Sequence, residues 1–415
     1  MNDDRIADLP LTIESVATER LERETSSEFT RVTTVFSLSG PDPGDGGTTT
    51  GRGEDVTYET EDHDRLAETG LPDLTGDYTV GSFSERLADL DLFPGGEPDR
   101  DVFRNYRRWG LESAALDLAL RRAETDLGSV LDRSADPVRF VASTRLGEPP
   151  TTDRLEALRE RVPDLEFKLD PTPAWDADLV AAIDETVGTD SARILDLKGQ
   201  YEGTDVDVPA DPELYELVLE AFPDAVIEDP NLTDETRPLF EDPAVRSRVS
   251  WDAPIHGLAD IEALPWEPSW LNIKPSRFGS LESLLETIAH CEEHDIRLYG
   301  GGQFELGVGR GQIQTVASLC YPDGPNDVAP RAYNDPAVGN ELPRSPLEPP
   351  ADPLGFEYRS HLNDLHTDRI VRGSHSRFSL TPFAPGSLRL PFASPRFSLT
   401  PFAPNRARVV RSGVD

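Results

Sequence analysis

The sequence predicts an α/β protein, a closed parallel barrel of the TIM type preceded by a small α+β domain, and three observations predict it. From about residue 138 the chain alternates strand-like and helix-like segments at roughly 22–32 residues per repeat, the length of one βα unit. Eight such strand segments follow in a single run, which favours closure over an open sheet. Ahead of them, residues 1–133 carry a hairpin and a long amphipathic helix without that alternation.

Within residues 1–133, Phe29–Leu38 (FTRVTTVFSL) is rich in β-branched and aromatic residues and reads as a strand. Gly40–Gly53 is a Gly/Pro/Thr-rich loop, either a mobile lid or a plain insertion. Asp55–Tyr58 reads as the strand that returns to close the hairpin. Arg107–Val130 reads as helix, with Leu111, Ala114, Ala115 and Leu118 at three-to-four spacing. In residues 134–330 strands are predicted at 138–142, 165–169, 194–197, 225–228, 249–251, 271–273, 297–299 and, most weakly, 326–328. Helices are predicted at 152–162, 176–187, 212–222 and 280–294, and the fourth to sixth units leave room only for short ones. Residues 331–369 are Pro-rich and irregular. Residues 370–415 differ in kind: RFSLTPFAP stands at 377–385 and again at 396–404, and six prolines interrupt any period. Seven Arg and one Asp give this stretch a charge of +6, so it is expected to be a low-complexity, disordered basic tail.

In 415 residues Lys and Arg number 40 and Asp and Glu 78, a net charge of −38. Such a surface repels nucleic acid and anionic lipid, so neither is an expected partner. Apolar residues make up 37 % of the chain, enough for a sizeable core and too many for a solvated acidic segment. Acidity spread along a lysine-poor chain suits a salt-rich cytosol, where screening removes self-repulsion; a halophilic, cytoplasmic protein is expected. Cys291 and Cys320 alone exclude a disulfide framework and a Cys-rich zinc site. The start, Met1-Asn2-Asp3-Asp4, has no basic or apolar signal region, and no run of about 18 apolar residues marks a membrane span.

A parallel barrel places its active site at the C-terminal ends of its strands. There the second predicted strand offers Lys168 (EFKLDP), the third Asp196 (ILDLKG), the fourth Glu228 (VIEDP), the fifth Asp252 (VSWDAP) and the sixth Lys274 (LNIKPS). Three hard oxygen ligands on neighbouring strands suit Mg²⁺, or Mn²⁺ in its place. Such an ion can hold a substrate carboxylate and stabilise the enediolate left when an α-proton departs. Lysines on either side are placed to remove or return that proton. Asp229 reads as a loop-capping residue or a group supporting the site from behind, His256 as a surface-loop histidine or a catalytic acid, and the glycines of Gly307–Gly311 as a tight turn.

The order Lys, Asp, Glu, Asp, Lys on successive strands resembles the enolase superfamily. NIKPSRFG at 272–279 resembles the sixth-strand motif of its muconate-lactonizing branch, and GGGQFELGVGR at 300–310 with ASL at 317–319 resembles that branch's seventh-strand segment. RRWGLESAALDLAL at 107–120 resembles its capping domain. The resemblance covers about residues 10–330. It implies a (β/α)7β barrel with an N-terminal α+β cap, Mg²⁺ on Asp196, Glu228 and Asp252, and acid/base lysines at Lys168 and Lys274. It implies a small carboxylate-bearing substrate that undergoes racemisation or epimerisation, cycloisomerisation or dehydration. Three positions depart from the pattern: Glu166 replaces the first lysine of a Lys-x-Lys pair, Lys198 replaces the asparagine of Asp-x-Asn, and Ala253-Pro254 replaces Glu-Ser. Glu305 matches the seventh-strand glutamate and serves either the site or Arg310. A homo-oligomer is expected. The competing class is a barrel that keeps its ligands but acts as a binding or structural protein; the retained Lys168 and Lys274 argue against it.

Overall fold

A run of Val, Thr and Phe makes Thr30–Pro41 the central strand of an antiparallel sheet, because branched and aromatic side chains pack well on a pleated surface. The structure is a computed structural model that describes residues 3–44, 46–201, 204 and 206–358. The chain opens with α1 (Asp3–Ala7), β1 (Pro10–Ile13), β2 (Ser15–Glu24), β3 (Thr30–Pro41) and β4 (Thr48–Asp55). β2, β3 and β4 form the three-stranded sheet, and β1 pairs separately with β5 (Gly76–Thr79). The helices α2 (Thr60–Thr69), α3 (Val80–Ala88), α4 (Val102–Arg122) and α5 (Leu127–Leu131) complete the N-terminal cap.

The returning strand of the hairpin differs from expectation. It is β4, which takes in the second part of the Gly/Pro/Thr segment expected to be a loop, from Thr48 to Gly53, while β3 runs on through Gly40 and Pro41. The three threonines supply β propensity, and the glycines have a packing task. A Cβ on Gly51 would lie 2.1 Å from the backbone N of Leu118, and one on Gly53 would lie 2.0 Å from the carbonyl O of Gly110. The bare face of β4 therefore lets α4 lie against its backbone. The long helix predicted at 107–130 is two helices, α4 and α5, separated at Ala123–Asp126.

The seven parallel strands of the barrel are β6 (Ala142–Thr144), β7 (Phe167–Leu169), β8 (Ala192–Asp196), β9 (Val226–Glu228), β10 (Val249–Trp251), β11 (Trp270–Ile273) and β12 (Arg297–Gly300), hydrogen-bonded in sequence order. The eighth predicted strand is reduced to two parallel bridges, Asn326 with Phe140 and Asp327 with Gly301. These two residues span from one edge strand to the other and close the curled sheet. The outer helices are α6 (Asp153–Arg161), α7 (Ala177–Val187), α8 (Pro212–Ala221), α12 (Leu281–Glu293) and α13 (Val308–Cys320). Between α8 and α12 stand only the short α9 (Pro243–Arg246), α10 (Leu258–Glu262) and α11 (Pro275–Phe278), as the spacing of the middle units requires.

Strand side chains alternate between the interior and the helix layer. Ile194 and Val226 point inward with Val141 and Tyr299 in one buried cluster. Two residues further along the same strands, Asp196 and Glu228 therefore also point inward, at the C-terminal mouth. Above that mouth Glu54 of the cap accepts hydrogen bonds from the N–H groups of Leu306, Gly307 and Gly309 at 2.7–3.0 Å, which ties β4 to the start of α13. The glycine-rich turn is thus spent on receiving a carboxylate of the cap. The irregular segment after residue 330 returns across the barrel, where Leu347 pairs with Val138, and reaches α4, where Phe356 packs edge-on against Trp109. The basic tail expected at 370–415, and residues 359–369 before it, lie outside the described residues. Among the described residues no helix is long and apolar enough to cross a membrane.

Candidate metal and active site

All five strand-end residues singled out by the sequence meet at the barrel mouth. Lys168 lies in β7, Asp196 ends β8, Glu228 ends β9, Asp252 directly follows β10 and Lys274 directly follows β11. Asp196, Glu228 and Asp252 have no exposed surface, and Lys168 is 2 % and Lys274 7 % exposed. The Lys168 ammonium stands 3.0 Å from Asp196 Oδ2 and 2.7 Å from Glu228 Oε1, with Asp327 Oδ2 at 3.7 Å. The Lys274 ammonium donates to Asp252 Oδ2 at 2.8 Å. One lysine thus serves the Asp196 and Glu228 side of the carboxylate group, and the other serves the Asp252 side.

Several further side chains, which strand-end reasoning did not single out, build the same site. Tyr299 donates to Glu228 Oε2 at 2.6 Å, and the Asn272 amide stands 3.4 Å from Glu228 Oε1. Both follow from alternation, since Asn272 precedes Lys274 by two residues and Tyr299 lies on the next strand. Tyr201 donates to Asp252 Oδ2 at 2.9 Å, while Arg277 stands 3.0 Å from Asp252 Oδ1 and donates to the Tyr201 hydroxyl at 3.0 Å. Tyr201 sits on a loop, where no periodicity marks it. Arg277 is visible in NIKPSRFG only as part of a motif, without its partner.

The departures from the family pattern have distinct outcomes. Glu166 shares the inward parity of Lys168 but lies one layer lower, roughly 6.6 Å along the strand. Its carboxylate is engaged by Arg139 at 2.7 Å and faces Arg193 at 3.7 Å. Glu166 is thus turned away from Lys168, whose ammonium is surrounded by Asp196, Glu228 and Asp327. Lys198 turns back onto the site, with its ammonium on Asp196 Oδ2. Asp229 accepts the N–H groups of Asp252 and Ala253, each at 2.8 Å, and so caps the loop that carries Asp252. His256 is half-buried and held at 3.1 Å by the carbonyl of Pro254 through its ring Nδ1, apart from the carboxylate cluster. Glu305 faces Arg310 at 3.0 Å and accepts the Gln303 N–H at 2.6 Å.

Burial and charge divide the carboxylates. Burial raises the pKa of Asp252, but Arg277, Lys274 and Lys168 outweigh it and hold the group well below the usual range. Burial likewise opposes the charge on Asp196, and Lys168 and Lys198 overcome it. Glu228 goes the other way, because burial and the Asp196 charge outweigh Lys168. Asp229 is pushed up to about 7 by burial and by Asp252 and Asp196. For Lys168, burial lowers the pKa, and Asp196, Glu228 and Asp327 more than reverse it, so the ammonium form is strongly held.

The donor set fits a hard divalent cation. Asp196, Glu228 and Asp229 have carboxylate oxygens within 4.8 Å of one another. Both Asp229 oxygens accept backbone N–H groups, whereas Asp252 Oδ1 meets only the Arg277 guanidinium, at 3.0 Å, and Asn272 Oδ1 is a buried acceptor that no donor among the described residues reaches. Asp229 is thereby committed to the backbone of the loop that carries Asp252, and Asp252, whose partners are side chains that can shift, is the better placed third oxygen ligand beside Asp196 and Glu228.

Residues 4–130 and 134–335 match the N-terminal and C-terminal domains of the family described as "Domain of unknown function (DUF8230)". The o-succinylbenzoate synthase of Bacillus subtilis is 27 % identical over 227 residues, 53 % of this chain and 58 % of that protein, so the match spans little more than half of that relative. Among solved structures, a member of the enolase superfamily from Listeria innocua superposes with a TM-score of 0.60 at 17 % identity, over 85 % of this chain and 94 % of the other. The dipeptide epimerase of Methylococcus capsulatus, complexed with a Mg ion, superposes with a TM-score of 0.54 at 20 % identity, over 75 % and 88 %. These likenesses bear on the fold.

Proposed function

We propose that this chain, which belongs to the DUF8230 family and shares its fold with a member of the enolase superfamily, is a proton-transfer enzyme that acts on a small carboxylate-bearing substrate and depends on Mg²⁺, or on Mn²⁺ in its place. The observation that carries this reading is the buried carboxylate group, Asp196, Glu228 and Asp252, with a lysine on each of its two sides. Two cations and three carboxylates buried together cost desolvation energy that a purely structural role would not require. Asp196, Glu228 and Asp252 would hold the ion, and when bound it supplies Lewis-acid stabilisation of the charge that develops on the substrate carboxylate.

The chain's own residues supply the rest. Lys274, on the Asp252 side, takes the proton α to the carboxylate, and the electron pair of that C–H bond passes into the enediolate. Arg277 and Tyr201 fix Asp252 and so fix the lysine that bonds to it. Lys168, held as an ammonium, faces the enediolate from the other side as an acid and a counter-charge. Returning the proton on the second face gives racemisation or epimerisation; loss of a β-leaving group gives dehydration; internal addition gives cycloisomerisation. Support for this group of reactions comes from a relative that is an o-succinylbenzoate synthase and a neighbour that is a dipeptide epimerase. We read the protein further as halophilic, cytoplasmic and homo-oligomeric, on the strength of its net charge of −38 and its family.

The test is exchange of substrate α-protons in D₂O, followed by NMR over a panel of N-acylamino acids, dipeptides and related carboxylates. Mg²⁺-dependent exchange with at least one member is expected. A panel without exchange at any metal concentration returns the protein to the binding or structural class.

A further inference from the structure

One charge at this site belongs to neither the carboxylate set nor the two acid/base lysines. Lys198, two residues beyond Asp196, has φ of +55°, a left-handed conformation that a lysine rarely adopts. That bend folds the residue back, so that its N–H donates to Asp196 Oδ1 at 3.1 Å while its ammonium bonds Asp196 Oδ2. Both oxygens of a proposed metal ligand are thus covered by one residue. A second acceptor waits beside it. Asp170 Oδ1, just beyond the end of β7, is 3.6 Å from the Lys198 ammonium, and it is buried with no hydrogen-bond donor among the described residues. The Lys198 side chain is largely buried, with its ammonium 5.6 Å from the ring centre of Tyr201.

We propose that Lys198 is a tethered counter-ion of the metal site: it neutralises Asp196 while no divalent cation is bound, and steps across to Asp170 when one arrives. The inference rests on the metal reading above and adds to it a residue that sets the affinity. An ammonium and a divalent ion are alternative partners for the same oxygen, and they repel one another when both are near. Binding therefore includes the work of breaking the Lys198–Asp196 pair, and Asp170, with an unused oxygen within a short swing, lowers that work. The ion exchange leaves Asp196 with a cationic partner in both states, Lys198 in one and the divalent ion in the other. Lys198 is accordingly a positioning residue, and its effect is read in metal affinity.

The experiment is calorimetric titration of the full chain with Mn²⁺, in wild type and in Lys198→Met, Asp170→Asn and Glu228→Gln. Lys198→Met should bind roughly tenfold more tightly, since a competing cation has gone. Asp170→Asn, which keeps Lys198 but removes its second partner, should bind about fivefold more weakly. Circular dichroism establishes that each variant is folded, and the opposite signs of the two changes rule out a general loss of structure. Unchanged or weaker binding in Lys198→Met overturns the counter-ion role while leaving the metal site intact. Unchanged binding in Glu228→Gln, or no binding in either wild type or Lys198→Met, overturns the metal site itself and the inference with it.

Discussion

Lys168 and Lys274 are both lysines against carboxylates, yet their surroundings fit them for different tasks. Lys168 is enclosed by Asp196, Glu228 and Asp327, while Lys274 bonds, among the described carboxylates, to Asp252 alone, and Asp252 is shared with Arg277 and Tyr201. A strongly held ammonium is a poor base, so proton removal falls to Lys274. With an exchangeable substrate in hand, Lys274→Ala should abolish α-proton exchange from one enantiomer while some exchange from the other persists. Lys168→Ala should lower both, because charge stabilisation does not depend on which face lost the proton. Full exchange on both faces in Lys274→Ala would remove that lysine from the mechanism. At this scale the sequence was informative where periodicity acts. Alternation along a strand is enough to aim Lys168, Asp196 and Glu228 into the barrel, and Asp252 and Lys274 follow as the next residue after their strands. It says nothing of Tyr201, which a loop delivers, nor that Glu166 sits a layer below Lys168 and finds Arg139 and Arg193 there.

Among the elements, β4 shows how composition misleads. Gly and Thr in GTTTGRG read as a loop because glycine is costly inside a strand. Here the cost is offset by α4, which approaches the backbone at Gly51 and Gly53 more closely than any side chain would permit. The relevant partner is some 60 residues away in sequence, so no local pattern reports it. Gly53→Ala sets a methyl group 2.0 Å from the Gly110 carbonyl, where only backbone can yield. Overpacking of this kind should destabilise the cap by about 2–3 kcal/mol, visible as a lower midpoint in urea unfolding with little change in slope. An alanine variant as stable as wild type would show that α4 is free to move off the sheet. The barrel elements were more legible, because strands buried beneath helices are short apolar runs and their spacing repeats. The eighth strand was the weakest for a physical reason: two bridges at Asn326 and Asp327 suffice to close the sheet.

At the scale of the whole molecule, charge is the property the sequence states most directly. A net charge of −38 on 415 residues makes the folded state self-repelling whenever ions are scarce. At 0.01 M salt the Debye length is about 30 Å, so carboxylates across much of the surface repel one another, whereas at molar salt they are screened beyond about 3 Å. The melting temperature should therefore be lower in 0.01 M KCl than in 2 M KCl, and equal values would contradict a halophilic design. On the proposal made above, Asp196, Glu228 and Asp252 hold a divalent cation between Lys168 and Lys274. A crystal of the full chain grown with Mn²⁺ and measured for anomalous scattering tests it most directly. One strong peak is expected at the barrel mouth, with a carboxylate oxygen of each of the three residues within about 2.0–2.3 Å. A mouth without a peak, or a peak ligated by Asp229 in place of Asp252, would contradict it.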